Sequence, residues 1–360
     1  MPAVKIEDSL SFQHGSNWSN RITLAPLTNN QSNLDGTLSD IEFAWLTARA
    51  RGGFSMVMTC AAFVDEMGRA WPGQLGIADD KHLPGLTRLA TGVKEHGAQA
   101  MVQIHHAGAR ASVDLHSGQN RAPFDDKSMQ AEALSTAEVK DLIERFIQSA
   151  VRAESAGFSG VQVHGAHDYV ISQFLSKRTV DRTDEYGGSL ENRSRMLFEI
   201  LEGIRVNTGP DFHVGLRLTP ENKFIDIAES TTVAGEVMAS GLIDHLEMSL
   251  WDVFMSPSRT GTLPRLIDEF TSLDRGLTRL GASGKINSAA DAQWCLDQGA
   301  DFVAVGTAAI IGHDFAANCL RDENFVAKSE PFNVADLREQ GVSDVFLEYL
   351  SGRFPNMIAN

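Results

Sequence analysis

The chain has 360 residues, 42% apolar and 22% charged, a balance that excludes a disordered protein and leaves room for one large domain or two ordinary ones. Asp and Glu number 47 against 31 Lys and Arg, and the formal charge of −16 sets most of the exterior against nucleic acid and anionic membrane surfaces. Cys60, Cys295 and Cys319 lie far apart with no C-x-x-C pair, which argues against a disulfide framework or an iron–sulfur cluster and for a reducing compartment.

The opening segment MPAVKIEDSLSFQHGSNWSN lacks an apolar core of signal-peptide length, and no apolar run approaches the roughly 20 residues needed to cross a bilayer. A cytoplasmic protein is expected. Short apolar runs then recur in chain order: RITLAPL at Arg21, FSMVMTCAAF at Phe54, AQAMVQIHH at Ala98 and GVQVHGA at Gly160. HVGLRLTP at His213, HLEMSL at His245, GASGKI at Gly281 and FVAVGTAAI at Phe302 continue the series. Each reads as a buried strand, and most intervals carry helical spacing, the order that parallel α/β folds require.

The clearest helix follows the third strand. Ser135 and Glu138 form a capping box, Val139, Leu142, Ile143, Phe146, Ala150 and Ala153 share one face, and Gly157 supplies the stop. The segment from Lys81 to Ala98 repeats that plan. Eight such strands predict an α/β fold, a (β/α)8 TIM barrel with a C-terminal helical extension, the catalytic residues on loops at the C-terminal strand ends. The open doubly wound alternative is weakened because no G-x-G-x-x-G follows the first strand. The barrel with its N-terminal cap is assigned to residues 1–325; residues 326–360, with apolar Val342, Val345, Phe346 and Leu350, are assigned to an extension packed on it.

Position alone then nominates Thr28 after the first strand, Gln103 on the third, His164 and His167 on the fourth and Arg217 on the fifth. Gly284, Lys285, Gly306 and Thr307 follow the last two strands, where many barrels hold a phosphate on backbone N–H groups. A buried guanidinium needs a partner or a ligand, and Gln103 can both donate and accept. This set suits a ring with carbonyl and N–H edges, an acquired negative charge and a phosphate tail, as in FMN.

The segments NRITLAPLT, GFSGVQVHGAHDYVISQFLS and RTDEYGGSLENRSRMLFEI resemble the signature segments of the old yellow enzyme family of flavin-dependent ene-reductases, and the similarity runs from about Asn20 to about Gly312. The resemblance implies an FMN-binding barrel, an oxidoreductase passing hydride from NADH or NADPH through flavin N5 to an activated alkene. It implies that Ala25, Pro26, Leu27 and Thr28 lie along the flavin ring, with the Thr28 hydroxyl near O4. Ala61 and Gln103 would meet the pyrimidine edge, Arg217 would lie near N1, and Gly306 with Thr307 would meet the phosphate. His164 and His167 match the pair that grips the substrate's activating oxygen, and Tyr169 the proton donor. A small-molecule substrate (enone, enal, nitroalkene or quinone) and self-association into a homo-oligomer are implied as well.

The chain departs from the family pattern at four places. Thr28 stands where many bacterial members have cysteine, and Asn30 where that group has tyrosine. Thr307 replaces the usual phosphate-clamping arginine, for which Lys285 could supply part of the charge, and HHAGAR shifts another arginine to Arg110. Other readings remain open at this stage. The acceptor could be a quinone or nitro compound. Lys285 could form a Schiff base in a lyase, or His164 and His167 could hold the metal of a hydrolase. A retired barrel serving as a sensor is the last, while Arg217 could simply pair with a carboxylate inside the barrel.

Overall fold

The structure is a computed structural model and describes residues 4–258 and 261–359. All eight expected runs form strands: β1 Ile22–Leu24, β2 Met56–Phe63, β3 Gln99–His105, β4 Gly160–Gly165, β5 His213–Leu218, β6 His245–Ser249, β7 Arg279–Ser283 and β8 Phe302–Val305. They close into a parallel barrel in the order β1-β8-β7-β6-β5-β4-β3-β2. β7 begins two residues before the apolar run that predicts it and ends at Ser283, so Gly284 and Lys285 lie in the loop beyond. A small two-stranded sheet, Asn120–Ala122 with Ala131–Ala133, is inserted in the connection after β3 and has no counterpart in the sequence reading.

The helix Thr136–Ser155 shows why these connections are legible. Ser135 accepts from the Glu138 backbone, Glu138 returns the bond to Ser135 N at 2.8 Å, and Gly157 stops the chain at φ +85°. Its six predicted core positions are all buried.

The N-terminal mouth of the barrel is plugged from outside. Leu10 pairs with Trp18, and both pack on Met56, Met58, Met101 and Phe302. Above this plug the interior is polar. Parallel register sets Gln103 beside Gln162, His164 beside Arg217, and Arg217 beside Glu247, so inward side chains of four adjoining strands meet around the axis.

The extension contains two helices, Val334–Glu339 and Asp344–Arg353. Val342, Phe346 and Leu350 are buried as expected, but Val345 is 50% exposed because it points away from the face that carries Phe346 and Leu350. Phe346 meets Trp45 edge-on at 5.7 Å. Beside it the buried Arg49 guanidinium donates to the carbonyls of Ala309, Ile310 and Gln340, tying the extension to the segment after β8. Burial lowers the Arg49 pKa to about 9, so the guanidinium remains charged at neutral pH. Among the described residues no helix is long and apolar enough to cross a membrane.

Phe346→Ala should therefore cost about 3–5 kcal/mol, the range for emptying a fully buried aromatic site. Urea unfolding followed by tryptophan fluorescence measures it; a loss under about 1 kcal/mol would show that the extension is only loosely docked.

Candidate active site

The site grows from the end of β4. Immediately after Gly165 the backbone of His167 and of Asp168 turns left-handed, at φ +60° in both, a conformation that non-glycine residues adopt at a cost of about 1–3 kcal/mol each. Four contacts hold it. His167 N donates to Thr219 Oγ1 at 2.8 Å, Arg110 Nη1 donates to His167 O at 2.5 Å, Gln173 Nε2 donates to Asp168 O at 2.7 Å, and Arg178 pairs with the Asp168 carboxylate. The turn brings the rings of both His167 and Tyr169 to 5.1 Å from that of His164.

A backbone hydrogen bond assigns the His164 tautomer. His164 Nδ1 accepts from Ala166 N at 3.2 Å, so its proton sits on Nε2. That Nε2 faces His167 Nδ1 at 3.4 Å, and His167 Nε2 lies 2.8 Å from Ser249 Oγ, a hydroxyl that can donate or accept. A neutral His167 carries its N–H on one of those two nitrogens. Burial, the neighbouring histidines and the Arg217 and Arg110 charges hold the His164 pKa well below its ordinary value, and burial with the same arginines does so for His167. They are neutral donors at neutral pH.

Tyr169 stands edge-on to His164 at 5.1 Å and to His105 at 4.3 Å, and the Arg110 guanidinium lies 4.9 Å over its ring. Burial raises its pKa, opposed by Arg110, so the phenol keeps its proton. His105 escaped the sequence reading, although it lies two residues beyond Gln103 on one strand and so shares its inward face. Gln74 Nε2 lies 3.1 Å from His105 Nδ1, while His105 Nε2 is buried without a partner.

Arg217 is 7% exposed and donates to Ser283 Oγ at 3.1 Å. Its Nε lies 3.0 Å from Glu247 Oε1, a charge contact that leaves both atoms without an aligned hydrogen bond. The barrel-interior carboxylate considered from the sequence thus exists. Glu247 is also bound by Gln162 Nε2 at 2.9 Å, and Gln162 Oε1 accepts from Gln103 Nε2 at 2.7 Å. Alternation along HLEMSL, which points His245, Glu247 and Ser249 inward, was the available signal for Glu247.

The remaining nominated residues divide. Ala61 is the strand partner of Gln103, and Ala25 is bonded to Val305 O at the first strand end, with Pro26, Leu27 and Thr28 following. Burial raises the Tyr349 pKa, and contact with the Thr28 hydroxyl opposes this, so the last helix reaches the first strand end. No sequence signal announced Tyr349. Gly306 follows β8 with an open flank, Leu27 Cδ2 at 3.5 Å being the one atom a Cβ would meet, and Thr307 begins the next helix. Gly284 is required by packing: at φ +142° a Cβ would lie 2.6 Å from the Trp251 carbonyl carbon. Lys285 is solvent-exposed and paired with Asp252 at 3.1 Å, not the desolvated setting that activates a Schiff-base lysine. Asn30 is left-handed at φ +55°, which suits asparagine. Cys60 is buried and burial pushes its thiol pKa up, an inert setting. Among the described residues no group of three His, Cys, Asp or Glu side chains could hold a metal ion.

A sequence model described as the NADH:flavin oxidoreductase / NADH oxidase family matches residues 13–321. The chain belongs to the old yellow enzyme family. It is 35% identical over 316 residues to a probable NADH-dependent flavin oxidoreductase, YqiG, of Bacillus subtilis (strain 168), covering 83% of each chain. An NADPH dehydrogenase of Bacillus pumilus is 33% identical over 80% of this chain and 86% of its own length. The chain also aligns at 31% identity with an NADH:acrylate oxidoreductase of Vibrio harveyi, but spans only 33% of that protein. Morphinone reductase in complex with tetrahydroNAD superposes with a TM-score of 0.80 at 26% identity, covering 95% of this chain and 97% of that one.

An old yellow enzyme is an FMN oxidoreductase that uses NADH or NADPH, and membership removes the lyase and the hydrolase readings. The residues present fit the cofactor. Arg217 presents a buried guanidinium at the fifth strand, held by Glu247 and Ser283, and Gly306 has an open flank beside Leu27.

The buried histidines set an acid limit on the fold. Burial holds His105, His164, His167 and His245 well below their ordinary pKa, His106 at about 4 and His213 at about 3. Above the unfolded value of about 6.5 they are neutral in both states and contribute no pH dependence; as pH falls below it the unfolded chain takes up protons that the folded chain refuses. Unfolding free energy should therefore drop steadily from pH 7 to pH 5, before most carboxylates titrate. Urea midpoints across that interval test this, and a midpoint that rises toward pH 5 would mean the histidines gain protons on folding.

Proposed function

We propose that this old yellow enzyme reduces activated alkenes, adding hydride to the β-carbon and a proton to the α-carbon of an α,β-unsaturated carbonyl or nitro compound. The balance is one alkene, one NADH or NADPH and one proton giving the saturated product and NAD⁺ or NADP⁺. The carrying observation is the juxtaposition of two neutral imidazole donors with a protonated phenol at one strand end.

The roles follow from the ring positions. His164 and His167 offer ring N–H donors to the activating oxygen, and the negative charge that builds there during hydride transfer meets donors already in place. Ser249 holds the His167 ring. Tyr169 gives its proton to the α-carbon as general acid, and the Arg110 charge over its ring stabilises the phenolate left behind. FMN, when bound, supplies the hydride from N5. Ala25, Pro26, Leu27, Thr28, Ala61, Gln103, His164, Arg217, Gly284, Lys285, Gly306 and Thr307 are the residues proposed to hold it. Arg217 answers negative charge on the ring, and Glu247 keeps that guanidinium in position.

The purified protein should be yellow and release FMN on denaturation. His164→Ala and His167→Ala should each retain FMN yet bind phenol ligands weakly, and cyclohexenone should reoxidise them about 10²- to 10³-fold more slowly. A colourless protein that takes up no FMN, or histidine variants with unaltered reoxidation by the enone, would contradict the proposal.

A further inference from the structure

Gln162 lies two residues before His164 on β4, is fully buried and shares the inward face of that strand. Three groups meet its amide. Nε2 donates to Glu247 Oε2 at 2.9 Å and lies 3.2 Å from His245 Nε2, while Oε1 accepts from Gln103 Nε2 at 2.7 Å.

The polarity of this chain is imposed from one end. Glu247, paired with Arg217, is a carboxylate and can only accept, so the Gln162 atom beside it must be the NH2 group. The same NH2 faces His245 Nε2, which makes that nitrogen an acceptor and puts the His245 proton on Nδ1, 2.7 Å from His213 Nε2. Gln162 then turns its oxygen to Gln103, and only the Gln103 NH2 can answer it. Gln103 keeps its own Oε1 and one N–H for a ligand. An acceptor beside a donor matches the alternating C=O and N–H groups of a flavin's pyrimidine ring. Reversed, the Gln103 amide would turn two donors to that ring and leave the ring N–H without an acceptor, a penalty larger than the loss of one exchanged hydrogen bond.

We propose that Gln162 is a positioning residue for the cofactor: held by Glu247 and His245, it sets which end of the Gln103 amide faces FMN. It acts through Gln103 and touches neither flavin nor substrate. This inference rests on the reading that Gln103 holds the cofactor. Removing Gln162 also takes a donor from Glu247, so an effect passed through Arg217 is the rival that the experiment separates.

The test is a double-mutant cycle on FMN dissociation from the holoenzyme, followed by flavin fluorescence, with the midpoint potential of the bound flavin as a second readout. Gln103→Met and Gln162→Met should each weaken FMN binding about fivefold or more, the size of one lost neutral hydrogen bond, and each should shift the potential. The double variant should bind FMN no more weakly than Gln103→Met, and adding Gln162→Met to that background should leave the potential where it was. Gln162→Glu separates the two routes. It still turns an oxygen to the Gln103 NH2 but sets a second carboxyl against Glu247, so it should retain FMN better than Gln162→Met if the effect runs through Gln103, and no better if it runs through Arg217. If Gln162→Met does not fold, Gln162→Asn, whose shorter amide cannot span Glu247 and Gln103, takes its place in the cycle. Additive losses in the double variant, or a Gln162→Glu enzyme that loses FMN as readily as Gln162→Met, would overturn the proposal. Gln162 variants that hold FMN like the unmodified enzyme while Gln103→Met does not would overturn it as well. If Gln103→Met itself holds FMN unaltered, the Gln103 contact fails, and this inference with it.

Discussion

The left-handed backbone at His167 and Asp168 is the constraint on which the site depends. Neither residue is glycine, so the conformation persists only because the surroundings over-determine it. Thr219 at the fifth strand end, Arg110 after the third, and Gln173 and Arg178 from the segment beyond Tyr169 all converge on four backbone and side-chain groups of these two residues. Unwinding the turn would separate the imidazole of His167 from that of His164 and swing Tyr169 off its edge-on contact. Strain, donor geometry and proton delivery are therefore one structural problem, solved by the barrel bringing three strand ends to one place.

Beneath the turn the barrel interior is polar where apolar layers would be cheaper to bury. His213 and His245 share a 2.7 Å contact, His245 and Glu247 both meet Gln162, and Glu247 faces Arg217. A buried pair of this kind is weak evidence for stability, because desolvation offsets much of the attraction. Its value lies in placing a permanent cation at the floor of the site with a fixed counter-ion, and in suppressing protonation of the histidines above it. Neutral imidazoles that donate hydrogen bonds are what an enolate-like charge requires.

Much of this was legible in the sequence. Strand order, the Ser135 to Gly157 helix and the strand ends that carry His164, His167 and Arg217 follow from local periodicity and capping, which the barrel does not override. Gly284 could be read as a phosphate-site glycine from its position, while only the tertiary approach of Trp251 reveals its packing role. Lys285 was ambiguous for the same reason: exposure and its Asp252 partner are properties of the folded loop. The contact of Tyr349 with Thr28 depends on where the last helix docks, which no spacing along the chain encodes. Glu247 and His105 lie between these cases, since strand alternation points them inward but says nothing about which neighbour they meet.

The central claim is that the histidines serve oxygen and Tyr169 serves carbon. Stopped-flow reoxidation of FMN-loaded, NADH-reduced Tyr169→Phe enzyme, with cyclohexenone and with a quinone, measures this most directly, because only the enone needs a proton on carbon. The account predicts slow reoxidation by the enone and near-normal reoxidation by the quinone, with phenol ligand binding retained. Equal slowing by both oxidants, or unimpaired enone reduction, would contradict it.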